Sequence, residues 1–169
     1  MRLADIDPAA LADAMHAQVA ERARRLAFAT GHDLVSGGAG VSDVRHAVRL
    51  LAEYAISGAA PEGDRDLVPE YLQSIVDVDI VPDGDTMTGA RDPDDALEIV
   101  VLAALARDAI AHEATTAVPD GWIAVLAGVA ASRVRQLAAA GELARVEGEE
   151  GIEVESARRW LQARCVADV

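Results

Sequence analysis

The sequence predicts a mainly α protein: an N-terminal helical bundle, followed by a C-terminal unit of short helices carrying a small β-hairpin. Three observations predict it. The chain is rich in alanine, with 36 Ala in 169 residues, and has only five aromatic side chains. Its core must therefore come from Leu, Val and Ile on closely packed helices, which alanine favours. Asp-Pro, which supplies a cap and a pre-set first helical residue, occurs before two long apolar segments, at 7–8 and 92–93. Beyond residue 142, two short runs alternate apolar and polar residues in the manner of strands around a glycine-containing turn.

In chain order, Asp7-Pro8 starts a first helix with Leu11, Met15, Val19, Arg22 and Leu26 at helical spacing and Gly31 as a stop. Ser36-Gly37-Gly38-Ala39-Gly40 reads as a connection. Ser42 or Asp43 is expected to cap a second helix, with Val44, Ala47, Val48, Leu51 and Ala55 on one face, ending near Gly58. Ala59–Asp66 reads as a polar loop, and Pro69 as the opening of a short helix through about Val76. Residues 77–92 read as a loop, in which 76–81 is either a short strand or a helix end running into the turn at Pro82-Asp83-Gly84-Asp85. The next helix should run from Pro93 to about Thr115. Leu97, Ile99, Val100, Val101, Leu102, Leu105 and Ile110 cover nearly every side of it, the pattern of a helix at the centre of a bundle or in an oligomer interface.

Val118-Pro119-Asp120 is a break, and charge divides there. Residues 1–118 hold 9 Arg against 21 acidic residues, a net −12; residues 119–169 hold 6 Arg against 8, a net −2. The expected domains are thus 1–118, an acidic helical domain for dimerisation or partner binding, and 119–169. With −14 overall, the chain is not a generally basic protein that coats nucleic acid or anionic membrane. All 15 basic residues are Arg; with the alanine content this suggests a GC-rich genome. The one cysteine, Cys165, excludes a disulfide framework. With no long apolar run and no signal-peptide core, a soluble cytoplasmic protein without membrane association is expected.

In the C-terminal part, Asp120 is placed to cap a short helix bearing Trp122, Ile123, Val125 and Leu126, and Gly128-Val129 makes a sharp turn. A second helix follows from about Ser132. Val134 and Leu137 are its buried side; Arg133, Arg135 and Gln136 lie on the others. Two short helices joined by a glycine turn form a helix-turn-helix, whose second helix is sized for the DNA major groove. Leu143–Val146 and Ile152–Val154 read as two strands around the tight turn Glu147–Gly151, a hairpin or wing. A last helix starts at Ser156, with Ala157, Trp160 and Leu161 inward and Arg158 and Arg159 on its outer face.

This order, with Gly128-Val129-x-x-Ser132-Arg133-Val134-Arg135-Gln136-Leu137 followed by Gly141-Glu142-Leu143 and Arg158-Arg159-Trp160-Leu161, resembles the excisionase-like and MerR-like winged helix-turn-helix domains. The resemblance covers residues 121–164. It implies a sequence-specific double-stranded DNA-binding protein, a small bacterial or phage-type transcriptional regulator acting as a homodimer. The implied DNA-facing residues are Ser132, Arg133, Arg135 and Gln136, with Arg145 on the wing. Arg donates two bonds to guanine and Gln pairs with adenine, while a serine hydroxyl holds phosphate. Two features depart from the family pattern: Ala130 and Ala131 stand where a capping Ser or Thr is usual, and the wing carries Glu147, Glu149, Glu150, Glu153 and Glu155. They motivate an alternative, an acidic protein-interaction module on the same fold.

No enzymatic role, metal or cofactor is expected. His112-Glu113 starts like a zinc-protease motif but lacks the second His, and His16, His32 and His46 lie on separate segments. Asp77-Val78-Asp79 and Asp83-Gly84-Asp85 are oxygen-rich without EF-hand spacing. Phosphate-loop, dinucleotide and nucleophile-elbow motifs do not occur.

Overall fold

A computed structural model describes residues 1–30, 39–60, 67–77, 93–112, 115–164 and 166. The described chain is mainly α, as expected. Seven helices, α1 (Pro8–Thr30), α2 (Ala39–Ser57), α3 (Leu67–Asp77), α4 (Pro93–His112), α5 (Asp120–Ala127), α6 (Ala131–Ala139) and α7 (Val154–Ala163), accompany two short strands, β1 (Ala117–Val118) and β2 (Ile152–Glu153). A single 3-10 turn, Leu3–Asp5, precedes α1.

The first helix begins where the Asp-Pro pair places it. The Asp7 carboxylate accepts the N–H groups of Ala9 (2.9 Å) and Ala10 (3.2 Å), satisfying two of the donors a helix start leaves open. Helix α2 starts at Ala39, so Ser42 and Asp43 lie inside it and not at its cap. It ends at Gly58, whose positive φ of 78° reverses the chain. Helix α3 opens two residues ahead of Pro69. The turn at 82–85, the connection at 36–38, Gly31 and Cys165 lie outside the described residues.

Helix α4 is the hub. Leu97, Ile99, Val100, Val101, Leu102, Ala103, Ala104, Ala106 and Ile110 are all buried, and the helix packs against α1, α2, α3, α5, α7 and the 3-10 turn. Arg107, only 2 % exposed, is its one buried charge among the described side chains. Its guanidinium donates to the carbonyls of Ala55 (2.8 Å) and Ile56 (3.0 Å) at the end of α2. A cation there satisfies carbonyls that the helix itself leaves open and complements the helix dipole.

The chain leaves α4 at His112, three residues before the expected end, and Ala117–Val118 form a strand that the sequence reading missed. Strand β1 pairs antiparallel with β2, Ala117 opposite Glu153 and Val118 opposite Ile152. On the other side of β2, Arg145 makes a single bridge to Ile152, and the Glu153 N–H donates to the Ala144 carbonyl at 2.9 Å. The expected hairpin is therefore present as a wing with one bridge, and the better ladder is the one to β1. Val154, expected in the strand, is the first residue of α7. The expected boundary at residue 119 falls between β1 and α5. Buried side chains form one continuous cluster across it, from Leu3 to Leu161.

Candidate nucleic-acid interface

Helices α5 and α6 are joined by a left-handed glycine. Gly128 has φ 63° and ψ 32°. Its N–H donates to the Val125 carbonyl at 3.2 Å, and the Val129 N–H donates to the Ala124 carbonyl at 3.0 Å. This is the helix stop that glycine alone makes without a Cβ penalty. Helix α6 ends the same way at Gly141 (φ 77°), where the Glu142 N–H donates to the Leu137 carbonyl at 2.9 Å. Two glycine stops thus fix both the angle and the length of α6.

Helix α6 is a separated two-sided rod. Val134 and Leu137 are buried in the core. Ser132, Arg133, Arg135 and Gln136 are exposed. At about 100° per residue these four cover an arc of roughly 160° opposite and beside the buried pair. Among the described residues none of the four side chains makes a hydrogen bond, ion pair or ring contact. The start of α6 has no side-chain cap, since its cap residue is Ala130, in line with the departure read from the sequence. Asp120 does not cap α5 either. It is the first helical residue, after Pro119, and makes no capping bond.

The Asp120 carboxylate is used elsewhere. Its Oδ2 accepts from the Arg145 guanidinium at 2.8 Å, and Arg145 also reaches the Gly151 carbonyl at 3.5 Å. Arg145, expected on the DNA-facing wing, thus ties the wing to α5; its side chain is 41 % exposed and that of Asp120 16 %. The other wing contacts are of the same kind. Thr116 Oγ1 donates to Glu149 Oε2 (2.7 Å), and the Val154 N–H donates to the Thr116 carbonyl (3.3 Å). The Ala144 N–H donates to buried Ser156 Oγ (2.9 Å). Gly151 is buried with φ 135°, and a Cβ there would stand 2.9 Å from the Val118 carbonyl oxygen, so the wing crosses β1 at glycine distance.

All five wing-region glutamates, 147, 149, 150, 153 and 155, are exposed. Arg158 is turned inward. It donates to the Ile110 carbonyl at the end of α4 (2.6 Å) and to Glu155 (2.7 Å). Arg159 donates to the Glu155 carbonyl at 3.4 Å, and Arg164 lies over the Trp160 ring, 4.9 Å from its centroid. Trp122 and Trp160 are half-buried against the core, as their apolar neighbours suggested.

Sequence reasoning missed β1, Thr116 and Ser156 as the parts that hold the wing. It also missed a cleft of about 540 Å³ at the start of α6, lined by Arg2, Gly128, Ala130, Ser132 and Arg135 among others. Arg2 lies far from α6 in sequence, and no local pattern connects them.

Of the metal candidates, His32, Asp79, Asp83 and Asp85 lie outside the described residues. No group of three His, Cys, Asp or Glu among the described residues is arranged to hold an ion. His112 pairs with Asp108 one turn earlier (3.0 Å), and His46 packs edge-on to Tyr71. No helix of the described residues is long and apolar enough to cross a membrane. Compared with known proteins, the chain matches no family model, no curated sequence and no solved structure at a significant level.

Proposed function

We propose that the chain is a sequence-specific double-stranded DNA-binding protein, a small regulator that lays α6 in the major groove. The observation that carries this reading is the outer face of α6. It offers two guanidiniums, an amide and a hydroxyl, all exposed and none of them engaged within the described residues. In a protein with 29 acidic residues, an arginine that serves only the surface has many carboxylates to choose from. Among the described residues, Arg133 and Arg135 pair with none of them. Their donors are left for an external acceptor, and guanine O6 and N7 or a phosphate fit that description. An α-helix with its side chains is about 10–12 Å across, which a major groove about 12 Å wide admits, and the nine residues of α6 make a rod about 14 Å long.

Gln136 adds an adenine-type donor and acceptor pair, and Ser132 a phosphate contact that fixes register. The acidic wing stays away from the backbone, because its glutamates would meet phosphate at close range. A homodimer would set two such helices about 34 Å apart on a palindromic site. With few cations in the interface, the log–log dependence of affinity on salt should be shallower than about −8.

The test is a gel shift against genomic fragments with wild type and the Arg133→Ala plus Arg135→Ala double variant. Each good bidentate contact is worth roughly 1–3 kcal/mol, so the double variant should lose at least about 30-fold in affinity for the preferred fragment. Equal binding by both proteins would contradict the reading.

The five exposed glutamates favour a second reading, an acidic interaction module that docks a basic protein partner through the wing. It predicts no shift of any fragment. It further predicts that Glu149→Gln plus Glu150→Gln weakens capture of the partner, where the α6 double variant does not.

A further inference from the structure

The arginines of this chain divide into two classes. Among the described side chains, Arg24, Arg45, Arg49, Arg145 and Arg158 pair with carboxylates. Arg107 and Arg159 donate to backbone carbonyls, and Arg164 stacks on Trp160. Three described guanidiniums make no hydrogen bond, ion pair or ring contact: Arg133, Arg135 and Arg2. The third comes from the opposite end of the chain, yet Arg2 and Arg135 line one cleft, with Ser132 between the same walls.

Arg2 is held there by construction. Leu3, the first residue of the 3-10 turn, and Ile6, just after it, are buried, and the turn packs against α4 and α2. The Asp5 carboxylate accepts the Arg2 N–H at 3.3 Å, and the Asp5 N–H donates to the Arg2 carbonyl at 3.0 Å. The backbone of Arg2 is thus fixed from both sides in an extended conformation, while its side chain is exposed. The fixed backbone removes the main-chain share of the ordering cost of a complex, while the contact-free side chain still carries its own.

We propose that Arg2 is a further DNA-contacting residue, which binds a backbone phosphate at the edge of the groove that α6 enters. The proposal rests on the reading of α6 given above. A phosphate contact positions the protein without reading sequence, so its loss should act equally on every duplex. It should also lower the salt slope by about 1. Arg135, in the same cleft but on the helix, should act on base discrimination.

The test starts from a duplex selected by the full-length chain from a randomised pool, together with a scrambled duplex of the same composition. Affinities of wild type, Arg2→Ala, Arg2→Lys and the Arg133→Ala plus Arg135→Ala variant are measured on both across a salt series. Arg2→Ala should weaken both duplexes by the same several-fold factor with a slope lower by about 1. Arg2→Lys should recover most of the loss, since a lysine also serves phosphate as a point charge. Thermal midpoints of the Arg2 variants should match wild type, because the side chain is exposed.

If Arg2→Ala binds both duplexes with wild-type affinity and slope while the α6 variant loses the selected duplex, the role of Arg2 is overturned and the α6 reading stands. If Arg2→Ala changes the ratio between the two duplexes, the phosphate assignment is overturned. If the selection enriches nothing, this inference fails together with the reading beneath it.

Discussion

Arg135 on α6 and Arg145 beside β2 have surroundings that differ in kind. Arg145 is bound to Asp120 and to the Gly151 carbonyl, and its removal would loosen the wing from α5. Arg135 has no partner within the described residues. The same contrast holds between the two elements. The wing is fastened at Thr116, Asp120, Ser156 and Gly151, and every one of those contacts is internal. Helix α6 is fastened through Val134 and Leu137, with Ala131 and Ala138 packed against the same core, and by its glycine stops, and its polar side chains are exposed. In a chain of net charge −14 that difference separates arginines engaged within the fold from arginines with no partner among the described residues.

Breaking the anchored side of α6 gives the largest expected effect on stability. Leu137→Ala should cost about 2–5 kcal/mol, read as a lowered midpoint in denaturant. DNA affinity should fall with it as α6 loses its seat on α5.

Next comes the wing. Gly151→Ala places a methyl group against the Val118 carbonyl and forces an alanine to φ 135°. It should destabilise the protein by about 1–3 kcal/mol, and backbone amide exchange should speed up first at β1 and β2. With the wing off the DNA, the affinity of the folded fraction should be unchanged.

The smallest effect is expected at Arg145. Its ion pair is partly exposed, and solvent screening limits its worth to about 1 kcal/mol or less. Arg145→Ala should lower stability slightly and leave DNA affinity as it was. A marked affinity loss with unchanged stability would move Arg145 from the first class of arginines to the second.

Local chemistry made much of this legible in advance. The Asp7-Pro8 start, the Gly58, Gly128 and Gly141 stops and the all-round apolar character of 97–110 are written within a few residues of where they act. So is the alternation of Val134 and Leu137 with Arg133, Arg135 and Gln136, which placed the candidate face correctly as an exposed one. What was not legible depends on contacts across the chain. Two residues, Ala117–Val118, are too short for a period-2 signal, and become a strand only because β2 comes alongside. Asp120 carries the residue type of a cap, yet its carboxylate is drawn to Arg145, a contact no local pattern specifies. Arg2 enters the cleft because Leu3 and Ile6 are buried against α4 and α2, which no spacing near α6 announces.

The most direct measurement of the central claim is a map of backbone amide shifts on adding a selected duplex to the isotope-labelled full-length chain. The account predicts that the perturbed amides cluster at 131–136, with a second set around residue 2 and little change at 147–150. Shifts concentrated at the wing, or none at α6, would contradict it.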